Sequence, residues 1–193
     1  MIKAVIKIVE NKKKLVLKNE GESAKEYLLE LSKKDLKELL IKSHMTHDGM
    51  WFYHCQKKLG IKVTNKLNRA AIKSFAPIEI KRILDVFGLQ KIDNIESLKT
   101  LINAAFIVFK AEFMKVYHSF PNDSCLRVEV KECWAFNGIK RMGIIEEYEC
   151  GVFDRIDGWF NALGLKYDCK PVVNGCMMHE QGRCYRNYIF IFP

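Results

Sequence analysis

The sequence predicts an α+β fold in which an N-terminal helical layer packs on a C-terminal antiparallel sheet of β-α-β-β order. Three observations support this prediction. Apolar side chains recur at helical spacing from residue 36 onward. A Pro-Asn-Asp-Ser turn cluster then interrupts the pattern at 121–124. After it, short segments of alternating apolar and polar residues predict three strands, at about 126–134, 166–174 and 184–192.

The N-terminal residues form a separate element in this prediction. Within 2–18, isoleucine and alanine alternate with lysine and valine before an Asn-Lys-Lys turn, and a Leu-Val-Leu segment follows it. This pattern predicts a β-hairpin. A short helix follows the hairpin. We therefore expect residues 1–31 to be an accessory element and 32–193 to be the main domain. Within that domain, 121–193 is the cysteine-rich part.

Capping residues, a glycine and a proline divide the helical layer into separate predicted helices. A capping-box pattern begins the first long helix, and Gly60 ends it. Because a proline disfavours helix at the residue before it, we expect a break or a kink at Ala76, with Pro77 in the first turn of the next helix. A fourth helix starts at Asp93 or Asn94 and runs to about His118. Its middle is apolar on all sides, which is typical of a central buried helix.

Composition narrows the class of protein. The chain has 193 residues, of which 49% are hydrophobic and 28% charged, as expected of one globular domain with a core. No apolar run approaches the roughly 20 residues of a membrane span, and no secretion signal opens the chain. We therefore expect a cytoplasmic protein without membrane association. The net charge of +9 comes mostly from dispersed lysines, so nucleic-acid binding is not expected. Assembly into a homo-oligomer is compatible with the sequence.

A histidine-rich stretch lies in the first long helix. Six chemically active or aromatic side chains fall on one helix face at spacings of three and four: His44, His47, Asp48, Trp51, His54 and Cys55. Histidine is the usual general base near neutral pH, and an aspartate can orient it. We predict His47 as a base oriented by Asp48. The alternative is that these side chains simply face water.

Seven cysteines are many for this length. Their odd number, without a secretion signal, indicates reduced thiols, as in a cytoplasmic protein of an anaerobe. Cys133, Cys150, Cys176 and Cys184 fall near predicted strand ends and a helix start, so they are candidate ligands for zinc or an iron–sulfur cluster. Cys150 is also a candidate low-pKa nucleophile. However, no Cys-x-x-Cys pair occurs, and the alternative is that several are buried small hydrophobes.

Large aromatic residues suggest where a ligand would bind. Trp51, Trp134 and Trp159 are candidates for lining a small-molecule pocket between the helices and the sheet, although ordinary core packing would also explain them. We further predict one shared cavity. The apolar flanks of the histidine face must pack on something, and the sheet is the expected partner. His47 and Asp48 would then face Cys133, Cys150 and Cys184.

Three segments carry a resemblance to known families. Residues 45–52, 68–71 and 76–83 resemble an uncharacterised family found mainly in anaerobic bacteria and archaea, over roughly residues 40–192. The spacing of cysteines and glycines from Cys133 to Cys184 is similar to that of the L-2-amino-thiazoline-4-carboxylic acid hydrolase-like family. This second resemblance implies a small-molecule hydrolase that opens a C–N or C–S ring bond, with cysteines near its site. The alternative is a non-enzymatic protein that binds a metal or small ligand as a sensor.

Overall fold

The computed structural model describes residues 31–192. The chain divides into two compact units, Met1–Leu36 and Lys37–Pro193, and the larger unit contains every feature discussed below. The predicted hairpin at 2–18 lies outside the described residues. The described part is mixed helix and sheet, as the sequence predicts, with six helices and a four-stranded antiparallel sheet.

Three long helices come first: α1 (Lys33–Leu59), α2 (Ile61–Phe87) and α3 (Ile95–Phe109). Gly60 separates α1 from α2 with a backbone φ of 78°, a conformation that glycine adopts without steric cost. The predicted break at Ala76 is wrong, because α2 continues through Pro77. Ala76 and Ile80 on either side are buried in the core, and this packing offsets the hydrogen bond that the proline cannot make.

The sheet contains β1 (Lys115–Asn122), β2 (Cys125–Glu132), β3 (Lys166–Lys170) and β4 (Cys184–Ile191) in the order β1-β2-β4-β3. The three predicted strands correspond to β2, β3 and β4. The predicted extension of the fourth helix to His118 is wrong, because α3 ends at Phe109. Residues beyond it alternate between half-buried and exposed as β1, which pairs with β2 in a hairpin. The C-terminal order is therefore β-β-α-α-β-α-β, rather than the predicted β-α-β-β.

Short helices connect the strands. After β2 come α4 (Trp134–Arg141), one 3-10 turn (Ile145–Glu147) and α5 (Val152–Ala162), and α6 (Met177–Gln181) lies between β3 and β4. The contact between α5 and α2 is very close. A Cβ atom added at Gly158 would lie 2.5 Å from the Cβ of Ala76. A glycine is required there because the helices could not otherwise approach so closely.

Two apolar clusters fill the interior. The larger one joins α2, α3 and α5 to one face of the sheet, where the buried ring of Phe160 packs edge-on against Tyr188 and Phe190. The smaller one, called here the second cluster, joins α1 to the connections that follow β2 and β3. Its buried members are Phe52, Ile61, Ile139, Ile145, Tyr148 and Cys176. Since Cys176 belongs to it, the second cluster supports the candidate site described next.

None of the helices within residues 31–192 combines the length and the apolar character that crossing a bilayer requires.

Candidate functional site

A pocket of about 360 Å³ opens where the 3-10 turn meets α6. Residues 145–149 form one wall, and residues 174–176 with His179 and Glu180 form the other. Its size falls at the small end of ligand-binding pockets. Three of the lining residues are buried, Ile145, Tyr148 and Cys176, and all three also belong to the second cluster.

Cys176 is the N-cap residue of α6 and is only 6% exposed, yet it lines the pocket. Gly175 before it has a φ of 92°, which allows the chain to turn sharply into α6. Within the part of the chain that the structure describes, the Cys176 thiol has no hydrogen-bond partner. A buried thiol without a partner, in a residue that lines a pocket, is a candidate to contact a ligand there.

His179 follows Cys176 by three residues, which places both side chains on one side of a single helical turn. The Nε2 atom of His179 lies 3.0 Å from Oε1 of Glu146 on the opposite wall. When the imidazole is neutral and Nε2 carries the proton, this hydrogen bond fixes the tautomer and leaves Nδ1 as a base. A thiol, an imidazole and an orienting carboxylate therefore line one pocket, which is the arrangement used by activated cysteine nucleophiles.

Three more thiols lie behind Cys176. The charge of Cys176 would raise the pKa of Cys133, Cys150 and Cys184, so all four cysteines lie within electrostatic reach of one another. We call this set the thiol cluster. It contains the four cysteines that the sequence analysis grouped as candidate metal ligands. They come from different parts of the chain, and the fold brings them together because the end of β2, the start of β4 and the starts of α4, α5 and α6 meet here.

Three thiols of the cluster, Cys133, Cys150 and Cys184, keep their protons at neutral pH. Burial raises the pKa of Cys150 to about 11 and that of Cys184 to about 12, and it also raises the pKa of Cys133. Backbone N–H groups at helix starts oppose this effect only in part, through Val152 at Cys150 and through Phe136, whose N–H donates to the Cys133 sulfur at 3.4 Å. The predicted low pKa of Cys150 is therefore wrong, because burial outweighs the helix start.

The positive charge of Arg186, on β4, lowers the pKa of Cys150 and of Cys184. Its Nη1 donates to the Sδ of Met177 at 3.4 Å and to the carbonyl of Tyr185 at 3.0 Å. Among the described residues no carboxylate lies within ion-pair distance of this guanidinium. The guanidinium also packs over the Phe153 ring, 4.7 Å from its centroid. Arg186 thus adds positive potential to the thiol cluster, but not enough to ionise it.

The histidine face of α1 is placed differently from the prediction. His47 and Asp48 are exposed, as are His44 and His54, and neither His47 nor Asp48 is among the residues that line the pocket. The prediction of one cavity shared by His47, Asp48 and the cysteines is therefore wrong. The catalytic roles assigned to His47 and Asp48 stay predictions.

The opposite side of α1 packs inward instead. Phe52 is buried, and a Cβ atom at Gly49 would lie 2.5 Å from Cη2 of Trp134. Gly49 and Phe52 are separated by one turn and so define one face. The cost of a glycine within a helix indicates close packing or a kink at this position, and the contact with Trp134 confirms the close packing.

The three tryptophans predicted for a ligand pocket lie apart from the pocket at Cys176. Trp51 and Trp134 are 43% and 42% exposed. Trp159 is buried in the larger cluster, where it stacks on Phe109 and donates its indole N–H to Glu79 at 2.9 Å. Trp159 is therefore packed as an ordinary core residue, which was the alternative to a role in a ligand pocket.

The thiol cluster is not a preformed metal centre. Within residues 31–192, no three His, Cys, Asp or Glu side chains are arranged to hold a metal ion as they stand. Zinc in a four-cysteine site needs four sulfurs about 2.3 Å from one point. A metal would therefore require these side chains to turn toward a common centre.

Glu146 is the site residue that the sequence analysis missed. It lies in an acidic run after Gly143, with no motif to mark it, and only the 3-10 turn brings it opposite His179. His179 itself could have been found, because Cys176 and His179 lie in one short loop between predicted strands.

These features define a two-layer α+β protein with a thiol–imidazole pocket beside a cluster of cysteines. The chain belongs to a family of unknown function, DUF6125, which matches residues 25–162. Glu146, Tyr148 and Cys150 lie within the matched region, whereas Cys176 and His179 follow it. No curated protein matches the chain.

Proposed function

We propose that the protein is a small-molecule hydrolase that opens a C–N or C–S bond, with Cys176 as nucleophile. One observation carries the proposal: the pocket brings together Cys176, His179 and the Glu146 carboxylate that orients the imidazole. The class of reaction is the one implied by the resemblance of the C-terminal cysteine spacing to the L-2-amino-thiazoline-4-carboxylic acid hydrolase-like family.

The chemistry would proceed in two halves. Nδ1 of His179 takes the proton of the Cys176 thiol while the sulfur attacks an electrophilic carbon of the substrate. The C–N or C–S bond then breaks, and the departing atom receives that proton from His179. In the second half, water gives a proton to His179 and attacks the same carbon, which releases the product and restores the thiol. Glu146 stabilises the imidazolium that forms in each half.

The thiol and the imidazole do not share a hydrogen bond in the described residues; the bond that joins Cys176 to His179 is between backbone groups, with the His179 N–H donating to the Cys176 carbonyl at 3.0 Å. Catalytic hydrogen bonds are often loose before a substrate is present. A χ1 rotation of either side chain, both of which start from the same helical turn, would close the contact. The 94% buried position of Cys176 would keep bulk water away from the attacking sulfur.

The test uses L-2-amino-thiazoline-4-carboxylic acid as substrate. Hydrolysis through the C–S bond yields a free thiol, which a chromogenic disulfide detects, whereas hydrolysis through the C–N bond yields a free amine. We expect Cys176→Ser and His179→Gln each to lower the rate at least about 100-fold. Cys55→Ser, at a cysteine on α1 outside the pocket, is the matched control and should retain the wild-type rate. Equal rates for Cys176→Ser and the wild type would overturn the proposed nucleophile.

A second candidate function rests on the thiol cluster. Four thiols within electrostatic reach of one another are the ligand type that zinc and iron–sulfur clusters use. In this hypothesis the protein binds a thiophilic metal as a sensor, after Cys133, Cys150, Cys176 and Cys184 turn toward one centre. Metal analysis of protein purified without oxygen tests it. Stoichiometric zinc or iron that disappears in Cys133→Ser and Cys184→Ser would support binding, and metal-free wild-type protein would contradict it.

A further inference from the structure

We propose that the pocket at Cys176 selects small molecules that carry a positive charge, such as an ammonium or amidinium group, and that Glu147 and Glu180 recognise that charge. The inference names the substrate class of the proposed hydrolase and in that respect rests on the proposed function. It is carried by the charge of the pocket wall and by the burial of the thiol at its floor.

The pocket is acidic on a basic protein. Four glutamates line it, and no lysine or arginine does, although the whole chain has a net charge of +9. The four are Glu146, Glu147, Glu149 and Glu180. Carboxylates gathered around a concave surface concentrate cations there, because low-dielectric walls focus the field into the opening.

Two of these carboxylates already have partners. Oε2 of Glu149 lies 2.9 Å from a guanidinium nitrogen of Arg69, and Glu146 is the partner of His179. Glu147 and Glu180 have no ion-pair partner within 4 Å in the described part of the chain. Glu180 borders the sharp turn before Cys176, where its Oε1 would lie 2.9 Å from a Cβ at Gly175. These two carboxylates are therefore free to bind a cation.

The buried thiol is an independent indication of a ligand. Cys176 is 94% buried, lines the same pocket and has no hydrogen-bond partner among the described residues. Buried polar groups normally have partners. A ligand whose cationic end meets Glu147 and Glu180 would place its remaining atoms over this sulfur, because all three residues border one cavity of about 360 Å³.

Three methanethiosulfonate reagents, of which the two charged ones are similar in size, test the inference without any enzyme activity. One carries a trimethylammonium-ethyl group, one a sulfonatoethyl group and one a neutral methyl group. Each transfers its alkylthio group to a cysteine sulfur and releases methanesulfinate, so the modified peptide can be measured by mass spectrometry. The rate at Cys176 is compared with the rate at Cys55 of the same molecule, because Cys55 on α1 lies outside the pocket.

We expect the ratio of cationic to anionic rate at Cys176 to exceed the ratio at Cys55 about tenfold in 20 mM salt. The excess should shrink in 500 mM salt, where charges are screened within a few ångströms. The double variant Glu147→Gln/Glu180→Gln should reduce the excess at least threefold. The control variant Asp85→Asn/Asp168→Asn removes the same charge from exposed positions outside the pocket and should preserve the excess.

Equal ratios at Cys176 and Cys55 would overturn the inference, and so would an excess that survives in the Glu147→Gln/Glu180→Gln variant. Failure of all three reagents to modify Cys176 would overturn it as well, because the pocket would then admit none of them. The outcome is separable from the proposed function. Charge preference without hydrolysis would contradict the hydrolase alone, and hydrolysis without charge preference would contradict only the assignment of a cationic substrate.

Discussion

The ring of Phe52 on α1 packs edge-on against the ring of Tyr148, with their centroids 5.9 Å apart. Tyr148 lines the pocket at Cys176, so the histidine-rich helix α1 supports a residue of the pocket wall through this contact. The helix that carries the most conspicuous residues of the sequence thus supports the site through an ordinary phenylalanine. Its histidines lie on the other side and face solvent.

Substitution of Phe52 should therefore destabilise the protein. Phe52 is 6% exposed, and removal of a buried aromatic ring costs about 3–5 kcal/mol of unfolding free energy. Trp51 is the matched control, because it is the neighbouring aromatic residue of the same helix but is 43% exposed. We expect Phe52→Ala to lower the urea midpoint strongly and Trp51→Ala to change it much less. Equal losses in the two variants would contradict the packing of α1 described here.

A second prediction concerns the two histidines that have been considered as general bases. If His179 is the base, His179→Ala should lower the rate of hydrolysis about 100-fold, whereas His47→Ala should lower it less than about twofold. The reason is that His179 lines the pocket and is paired with Glu146, whereas His47 on α1 does not line it. Steady-state rates with L-2-amino-thiazoline-4-carboxylic acid provide the measurement. The reverse order of the two effects would favour His47 as the base.

The cysteine pattern predicts one residue of the pocket, Cys176. The sequence analysis grouped Cys133, Cys150, Cys176 and Cys184 because they fall near strand ends and helix starts, and the fold brings these four together. What the sequence did not indicate was burial. A thiol near a helix start has a low pKa only when it stays solvated or gains a cation, and Cys150 is enclosed by the second cluster.

The two main errors in the fold have a common physical origin. Strand β1 was predicted as helix because the apolar run of α3 leads directly into it. The alternation of Val116, His118 and Phe120 is decided by pairing with β2, which is a tertiary interaction. The histidine face of α1 was expected to pack on the sheet, whereas the face that packs inward contains Gly49 and Phe52. Local periodicity detects neither pairing across strands nor which face of a helix meets its tertiary partner.

Close packing of α2 and α5 leads to a third prediction. Gly158→Ala would place a Cβ atom 2.5 Å from the Cβ of Ala76, and such overpacking costs about 1–3 kcal/mol. Gly138 in α4 is a matched control, because a Cβ atom there would meet nothing within 4 Å. Gly138→Ala should stabilise the protein by up to about 1 kcal/mol through helix propensity. Thermal unfolding of both variants gives the comparison, and a stabilising Gly158→Ala would contradict the interhelix contact.

The last prediction concerns alkaline pH. The pKa of Cys184 is about 12 and that of Cys150 about 11 in the folded protein, against an ordinary thiol value of about 9. Between pH 9 and these values the folded state retains protons that the unfolded state has lost. Stability therefore falls as the pH rises through this window, by up to about 1.4 kcal/mol per pH unit for each thiol. Below pH 9 the contribution is fully present.

Urea unfolding at pH 8 and pH 10 measures this effect, and variants separate it from the titration of lysines and tyrosines. Because each thiol has a raised pKa, Cys184→Ala and Cys150→Ala should each lose about 1 kcal/mol less than the wild type between the two pH values, even though both are less stable at pH 8. The double variant Cys150→Ala/Cys184→Ala should lose less unfolding free energy between pH 8 and pH 10 than either single variant. If the loss on going to pH 10 were the same in the wild type and in all three variants, the thiols of the cluster would not be buried in their protonated form.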